Sequence, residues 1–522
     1  MAEPGRRSWV SRLCNGGLLW LACILCGTLL GLNVLYDVVI ADGYQEQVTI
    51  LPGAARGLGL LAVTAALTIG AGFLPKKPKL RESTCFAALC IVYTVMALYL
   101  MLNSDSALRD DAALVYEAAL GFLQGDYQAF GKGGYIGYFP HQAGLMLYDA
   151  LVYSFGRNPL SAVIANFCFV LGIQYLVWRM ADALFHSSAV NLATIGLSFG
   201  FLPQFFFIMF IYGTIPGFFF LMLAFYQTLR FSREGRFRNL LAAGLSMGVA
   251  VMLRKNYIIG AAAMAIYLFL RCLDEKKKGK WLCAVCAAVL LAVVPNQLLL
   301  MGLEAKTGCD MHRGMPAALH IRMGTNIDNR MLGPGWWDGT NSHTFFIEAD
   351  YDPAVGSELG RQYLKENLTK IRQEPRRAAR FFWDKVVSTW CEPLYQSVWS
   401  GPLEDWNQKT YTDFLRSIYT GGRAWSVLET FCKWLTLTLW AFALLFLLTC
   451  RKRTPGWKLC YLYTIGGALF HFFWETKSQY VYPYVFCLIP FAACALVEAV
   501  GWAGRLREKV LRRRGEKTAG LR

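Results

Sequence analysis

The sequence predicts an all-α polytopic membrane protein with about twelve transmembrane helices and a folded extracytoplasmic domain. Of its 522 residues, 55% are hydrophobic and only 17% are charged, whereas soluble globular proteins carry about 25% charged residues. The apolar residues form repeated runs of about 18 to 23 residues, long enough to cross a hydrocarbon core of ~30 Å. This composition excludes an ordinary cytosolic enzyme, a disordered protein and a disulfide-stapled secreted domain.

The apolar runs define the predicted spans. They lie near residues 14–36, 56–74, 84–102, 159–180, 188–208, 214–231, 239–253, 257–272, 281–302, 427–449, 457–474 and 481–503. The first run is followed by many others and lacks a small-residue cleavage site. We therefore interpret it as a membrane anchor rather than a signal peptide.

The net charge of +17 is better explained by membrane topology than by nucleic-acid binding. Basic residues collect in alternate loops and in the tail, at Arg6, Arg7, Arg12, Lys76, Lys77, Lys79, Arg81, Arg233, Arg236, Arg238, Lys276, Lys277, Lys278, Arg451, Lys452, Arg453 and from Arg505 to Arg514. Because cytoplasmic loops are enriched in Lys and Arg, we expect a multi-pass protein of the cell membrane with both termini in the cytoplasm. Its expected partners include the lipid bilayer and no nucleic acid.

Two long loops on the opposite side interrupt the series of short ones. The predicted organisation is an N-terminal two-span extension (1–83), a membrane core (84–303) with a first external loop (103–158), an extracytoplasmic domain (304–426), a three-span segment (427–503) and a basic cytoplasmic tail (504–522). The extracytoplasmic domain is predicted to be α-helical or mixed α/β. It contains Cys309 and Cys391, and the sequence leaves open whether they form a disulfide.

The first external loop carries an acidic pair, Asp110 and Asp111, followed by apolar residues at helical spacing. One interpretation is that the pair caps an interfacial helix and contacts its dipole, which contributes about 1 kcal/mol. The other is a general base: the helix N-terminus keeps one carboxylate ionised while the adjacent acid raises its proton affinity. The spacing alone favours neither interpretation.

A glycine-rich aromatic stretch follows from Phe130 to Gly144. Several of its side chains carry a polar group, among them Tyr135, Tyr138, His141 and Gln142. This composition is typical of a flexible surface loop, but it also suits the wall of a pocket for a sugar or a lipid headgroup.

Two further polar segments lie on the predicted outer side. Arg254 and Lys255 stand between two short spans, against the positive-inside trend, and there they either contact phospholipid headgroups or bind the phosphate of a lipid-linked substrate. Glu475, Lys477 and Tyr480 join the last two spans, and they either complete a polar pocket or extend to the membrane interface.

Taken in order, these segments resemble the membrane-embedded glycosyltransferases of the GT-C fold, in particular the family 39 dolichyl- or polyprenyl-phosphate-mannose mannosyltransferase-like group. The matching elements, spread over about residues 84–502, are Asp111, Tyr116-Glu-Ala-Ala119, Gly125-Asp126, Gly133-Gly-Tyr135, Pro140-His-Gln142, Arg254-Lys-Asn256, Met323-Gly-Thr-Asn326, Gly335-Trp336 and Glu475 to Tyr480. The chain departs from the family in its two additional N-terminal spans. It also has Gln479 where the family has an arginine, which leaves Lys477 as the candidate for that residue's role.

The resemblance implies transfer of a sugar from a polyprenyl-phosphate donor to an extracytoplasmic acceptor hydroxyl, with inversion at the anomeric carbon. The implied catalytic residues are Asp111 as the base and Asp110 as its modulator. The implied donor-phosphate ligands are Arg254, Lys255 and Lys477, and the implied substrate-binding residues are Tyr135, Tyr138, His141, Gln142, Glu475 and Tyr480. No cofactor is expected, although a divalent metal at the acidic pair stays open.

Two rival functions remain from the sequence. A lipid-linked glycan flippase fits about twelve spans equally well, but it predicts charged residues deep within several spans. A non-catalytic scaffold for polysaccharide assembly would retain full function after Asp111→Asn. The sequence identifies neither the sugar nor the acceptor.

Overall fold

The computed structural model of the protein describes residues 9–40, 46–74, 80–106, 108–275 and 278–519, the last with side chains to residue 511. Several residues used to predict the topology lie outside this part of the chain: Arg6, Arg7, Lys76, Lys77, Lys79, Lys276, Lys277 and the side chains of Arg512, Arg513 and Arg514.

The N-terminal extension consists of two helices joined through a β-hairpin. Its elements are α1 (Trp9–Leu35), β1 (Tyr36–Ile40), β2 (Val48–Pro52) and α2 (Ala54–Phe73). The strands are antiparallel and pair Tyr36 with Pro52 and Ile40 with Val48. The sequence prediction missed this hairpin because the β-branched residues of β1 follow a long apolar run without a turn signal.

A chain of helices follows the extension and forms the membrane core. They are α3 (Glu82–Leu102), α4 (Asp110–Gln124), α5 (Tyr135–Tyr138), α6 (Ala143–Phe155), α7 (Leu160–Phe185), α8 (Ser188–Gly200), α9 (Leu202–Phe206), α10 (Thr214–Glu234), α11 (Phe237–Leu253), α12 (Ile258–Asp274) and α13 (Lys278–Thr307). The helices α10, α11, α12 and α13 pack against their sequence neighbours.

Shorter helices then form most of the predicted extracytoplasmic domain, and the chain ends in long apolar ones. The former are α14 (Ala317–Thr325), α15 (Thr340–His343), α16 (Pro353–Gln373), α17 (Pro375–Trp390) and α18 (Asp413–Tyr419). The latter are α19 (Arg423–Thr449), α20 (Trp457–Phe473), α21 (Tyr482–Phe486) and α22 (Ile489–Ala519). The extension is part of this assembly, since α1 packs against α19 and α2 packs against α22.

The prediction of an all-α polytopic membrane protein is confirmed. Every predicted span overlaps helix, although the spans 188–208 and 481–503 are each broken into separate helices. Within the described residues, 8 helices are long and apolar enough to cross a membrane, or 9 if the bent pair Ser188–Gly200 and Leu202–Met209 is one span. The helices α10, α11 and α20 do not meet that criterion, so the exact span count stays a prediction. The domain boundaries and the orientation of the termini also stay predictions.

The segment between α13 and α19 is helical, and residues 308–422 contain no strand apart from a single bridge of Thr410 to Ser104. The α-helical version of the predicted domain therefore describes it better than a mixed α/β one. Cys309 and Cys391 are both free thiols, so the structure contains no disulfide between them.

An aromatic cluster supports the loops that carry the polar residues. The ring of Tyr482 stacks on Phe207 with a centroid distance of 4.5 Å. Phe218 contacts Tyr482 at 5.5 Å and Phe486 at 5.6 Å. Because such rings are fully buried and closely packed, they hold the ends of α9, α10 and α21 together.

Candidate active site

The acidic pair begins α4, but its two carboxylates have different partners. Asp110 Oδ2 lies 3.6 Å from Arg109 Nε, and the Asp110 side chain is 55% exposed. The carboxylate of Asp111 instead accepts a hydrogen bond from the hydroxyl of Tyr212 at 3.1 Å. The N-cap residue of this helix is Arg109, and no side chain makes a capping hydrogen bond there. The structure therefore gives no support to the capping interpretation for Asp111.

Arg109 fixes the position at which α4 begins. Its buried guanidinium donates to the carbonyl oxygen of Gly401 at 2.6 Å and to Gln408 Oε1 at 3.2 Å. It also donates to the carbonyl oxygen of Trp399, and its Cζ lies 4.6 Å from the centroid of the Trp399 ring. The next residue, Asp110, has φ of +51°, a left-handed conformation that aspartate tolerates better than most residues.

Tyr212 is the centre of the hydrogen-bond network around Asp111. Its hydroxyl lies 3.0 Å from the hydroxyl of Tyr135 and accepts a hydrogen bond from Gln142 Nε2. Since a phenol has one proton and Tyr212 donates it to Asp111, the Tyr135 hydroxyl must donate to Tyr212. The chain Tyr135 to Tyr212 to Asp111 is therefore polarised toward the carboxylate.

The surroundings of Asp111 hold its pKa above the usual value for aspartate. Desolvation by the surrounding protein raises the pKa most, although Asp111 as a residue is exposed. The Lys477 charge and the Tyr212 and Tyr135 hydroxyls lower it, and Asp110 raises it slightly. A carboxylate with a raised pKa is a stronger proton acceptor at neutral pH.

Arg254 binds the loop that carries Tyr212. Its Nη1 donates to the carbonyl oxygen of Tyr212 at 3.0 Å and to Thr214 Oγ1 at 2.5 Å. The guanidinium carbon lies 5.4 Å from the ring centroids of both Tyr212 and Tyr480. Lys255, the next residue, is exposed. The Arg254 guanidinium is thus within cation–π distance of both tyrosine rings.

The glycine-rich stretch packs beside the Asp111 network rather than forming a flexible loop. Tyr135 and Gln142 are buried, and Tyr138 packs against Phe346 with a centroid distance of 4.7 Å. Burial lowers the pKa of His141 to about 3, with contributions from Lys255, His320 and Arg254. His141 is therefore a neutral imidazole at physiological pH, able to donate one hydrogen bond and accept another.

The late segment forms a second polar group beside Arg254. The Tyr480 hydroxyl donates to Glu475 Oε1 at 3.4 Å, and His320 Nδ1 lies 3.8 Å from Glu475 Oε2. Although burial raises the pKa of Glu475, His320, Lys477 and Tyr480 together hold it below the usual value. Lys477 Nζ lies 2.5 Å from Glu46 Oε2, a residue of the N-terminal extension.

The structure therefore brings most of the predicted residues together. Asp111, Tyr135, Gln142, Arg254, Glu475, Lys477 and Tyr480 belong to one connected group, with His141 and Tyr138 close to it. Asp110 is turned toward Arg109 and Lys255 toward solvent. The assigned roles of all these residues are tested by no observation and stay predictions.

Sequence reasoning missed three residues of this group, namely Tyr212, His320 and Glu46. Tyr212 and Glu46 each lie in a short loop that the predicted topology places on the same side as Arg254, and that shared side is the signal that could have found them. His320 lies within α14, and no pattern in the sequence distinguishes it.

A metal site at the acidic pair has no geometric support in this arrangement, because Asp110 and Asp111 face different partners. Within the described ranges, no three His, Cys, Asp or Glu side chains are grouped so that they could hold a metal ion. The dependence of the protein on a divalent ion stays an open prediction.

Residues 146–298 match the protein family described as dolichyl-phosphate-mannose-protein mannosyltransferase. This segment is similar to a membrane glycosyltransferase of the GT-C type. It runs from α6 into α13 and includes Tyr212, Arg254 and Lys255, whereas Asp111 and the segment 474–480 lie outside it. No curated protein and no solved structure matches the chain.

Proposed function

We propose that the protein transfers one sugar from a polyprenyl-phosphate donor to a hydroxyl group of an extracytoplasmic acceptor, with inversion at the anomeric carbon. The acceptor is a cell-envelope glycan, a glycolipid or a protein. The match of residues 146–298 to the mannosyltransferase family supports glycosyl transfer in a membrane. The arrangement around Tyr212 supports the assignment of the reacting groups.

The observation that carries the proposal is that one residue joins a base to a cation. Tyr212 donates its hydroxyl proton to the Asp111 carboxylate at 3.1 Å, and its carbonyl oxygen accepts a hydrogen bond from Arg254 at 3.0 Å. Sugar transfer from a lipid phosphate requires both groups near the reacting carbon: a base for the acceptor and a positive charge for the leaving phosphate.

Asp111 acts in this proposal as the general base. It takes the proton of the acceptor hydroxyl as that oxygen forms a bond to the anomeric carbon on the face opposite the phosphate. The bond between the anomeric carbon and the phosphate oxygen breaks, and its electron pair leaves with the polyprenyl phosphate. Because phosphate is a weak base, the departing oxygen needs no proton from a second carboxylic acid, unlike the leaving group in glycoside hydrolysis.

The cations of the site stabilise the phosphate as its charge grows. Arg254 is the leading candidate, because its planar guanidinium is held near two tyrosine rings and suits bidentate phosphate binding. Lys255 supplies a second, exposed charge. Lys477 contributes less to phosphate binding, because its charge is already paired with Glu46.

The remaining polar groups are assigned to the sugar and the acceptor. Tyr135, Tyr138, His141, Gln142, Glu475 and Tyr480 present hydroxyl, imidazole, amide and carboxylate groups around the cleft. The neutral imidazole of His141 suits a sugar hydroxyl, since both groups donate and accept hydrogen bonds. No resident cofactor is assigned to this reaction.

The test supplies proteoliposomes with a radiolabelled polyprenyl-phosphate sugar and membranes containing acceptor. Wild type should transfer label, Asp111→Asn should lose transfer by at least about a hundredfold, and the control Asp126→Asn should retain it. Asp126 is exposed in the same loop, and its carboxylate accepts a local backbone hydrogen bond from Gln128. Equal transfer by wild type and Asp111→Asn would refute the base, and movement of the intact donor across the bilayer without transfer would indicate a flippase.

A further inference from the structure

The N-terminal extension places a carboxylate beside Lys477. Glu46 lies two residues before β2, is only 7% exposed, and places Oε2 2.5 Å from Lys477 Nζ. The hairpin is held against the predicted extracytoplasmic domain, because the Val48 amide donates to the carbonyl oxygen of Leu332 at 2.7 Å. Glu46 is thus held in a fixed position beside Lys477.

Buried charges fasten the same hairpin to α19. Asp37 Oδ1 lies 3.4 Å from Arg56 Nη1 and 3.3 Å from Lys433 Nζ. Arg56 in turn forms an ion pair with Glu429, and Lys433 donates to the carbonyl oxygen of Tyr36 at 2.6 Å. A buried charge left without its partner costs about 3–5 kcal/mol, so this network holds the base of the hairpin in one position.

Lys477 stands within the fields of three acids. Glu46 is its direct partner, and the charges of Glu475 and Asp111 act on it as well. If Glu46 lost its charge, Glu475 and Asp111 would remain as acids whose charges act on Lys477. A cation in contact with an aspartate lowers the pKa of that aspartate by about one to three units, which would weaken it as a base.

We propose that Glu46 is a positioning residue of the active site, which holds the Lys477 ammonium in an ion pair and so keeps that cation from pairing with Asp111. The inference rests on the role of Asp111 as the base in the proposed function. It gives the two additional N-terminal spans a task in the reaction: they carry the counter-ion of a lysine that would otherwise neutralise the base.

Several charged and titratable groups face Asp111, and the test must separate the effect of Lys477 on its ionisation from theirs. Asp110 and Arg109 precede it, Tyr135 and Tyr138 face it from the glycine-rich stretch, Tyr212 faces it from the loop before α10, and Lys477 faces it from the late segment. The Glu46 charge acts on two members of this set, Arg109 and Lys477, and Lys477 is its direct ion-pair partner.

The test measures the ionisation of Asp111 directly. Infrared spectra of the full-length protein in nanodiscs are recorded against pH, and the spectrum of the Asp111→Asn counterpart is subtracted to isolate the Asp111 carboxyl band. In Glu46→Gln the midpoint should fall by about one pH unit, because the released ammonium contacts the carboxylate. Glu46→Asp keeps the charge and should return the midpoint toward that of wild type.

A Lys477→Met background separates the ion pair from the plain loss of a negative charge. Adding Glu46→Gln to Lys477→Met should shift the Asp111 midpoint by less than a third of the shift seen in the wild-type background. An unchanged or raised midpoint in Glu46→Gln would overturn the proposal, as would an equal shift in both backgrounds. A loss of the folded state in Glu46→Gln but not in Glu46→Asp would also overturn it, because Glu46 would then be needed for folding.

The infrared readout does not depend on sugar transfer. If the midpoint shifts as expected and wild type transfers no label, the positioning of Lys477 stands and the proposed function falls. If wild type transfers label and the midpoint does not move, the function stands and the inference about Glu46 falls.

Discussion

The ammonium group of Lys385 donates a hydrogen bond to the carbonyl oxygen of Trp474 at 2.8 Å. The same group donates to the carbonyl oxygen of Phe472 at 3.0 Å and to that of Gly324. One buried lysine of α17 therefore connects the ends of α14 and α20 with the segment that carries Glu475. Its three protons satisfy carbonyl groups that helix ends leave without an intrahelical partner.

Replacing Lys385 with methionine should destabilise the protein. The methionine keeps the length and apolar volume of the side chain but leaves three carbonyl oxygens without a donor. The free energy of unfolding should fall by at least about 3 kcal/mol, since three buried carbonyl groups lose their donor and each such loss costs about 1–3 kcal/mol. Thermal unfolding in detergent measures the change, and Lys365→Met, at an exposed position of α16, is the matched control. Equal stability of the two variants would contradict this role of Lys385.

Replacing Tyr212 with phenylalanine should weaken catalysis and move its pH dependence. In wild type the Tyr212 hydrogen bond favours the ionised form of Asp111. Its removal therefore raises the pKa of Asp111 further. The acid limb of kcat/KM should move to higher pH, and the value at the optimum should fall about tenfold to a hundredfold. A pH profile of label transfer provides the measurement.

The control for this change is Tyr116→Phe on α4. The Tyr116 hydroxyl donates to the carbonyl oxygen of Arg157 at 2.8 Å and takes no part in the network around Asp111. Its profile should coincide with that of wild type. An acid limb that moves to lower pH in Tyr212→Phe would show that Tyr212 does not stabilise the ionised carboxylate.

Replacing Arg254 with lysine should fail to preserve donor binding. A lysine keeps the charge but loses the planar group that spans the carbonyl oxygen of Tyr212, Thr214 Oγ1 and two aromatic rings. The KM for the donor should rise at least about tenfold. Arg179→Lys, which alters a partly exposed ion pair with Asp182 on α7, should leave that KM unchanged. A KM for Arg254→Lys within twofold of wild type would contradict the prediction.

Activity should fall as pH decreases through the raised pKa of Asp111, because a base must be ionised to accept a proton. His141 should contribute no limb between pH 5 and 8, since its pKa of about 3 keeps it neutral there. In His141→Gln the rate should fall while the acid limb stays at the wild-type pH. A limb that disappears in this variant would assign the titration to His141 instead.

The helical membrane fold was predictable because each span must satisfy its backbone hydrogen bonds internally, which requires long apolar runs that are visible in the chain. The hairpin of β1 and β2 was not, since strand pairing depends on a partner segment and on the surface that receives it. Asp111 was a candidate because acids are rare beside membrane spans. Whether it capped a helix or joined the network around Tyr212 depended on Arg109, whose partners lie almost three hundred residues away along the chain.

The chain by itself determined which residues are costly to place at a membrane and on which side its loops are expected, because hydropathy and charge are local properties. Only the tertiary structure decided that Tyr212 joins Asp111 to Arg254 and that Glu46 reaches Lys477. Those contacts link segments far apart in sequence, and their geometry follows from how the helices pack against one another.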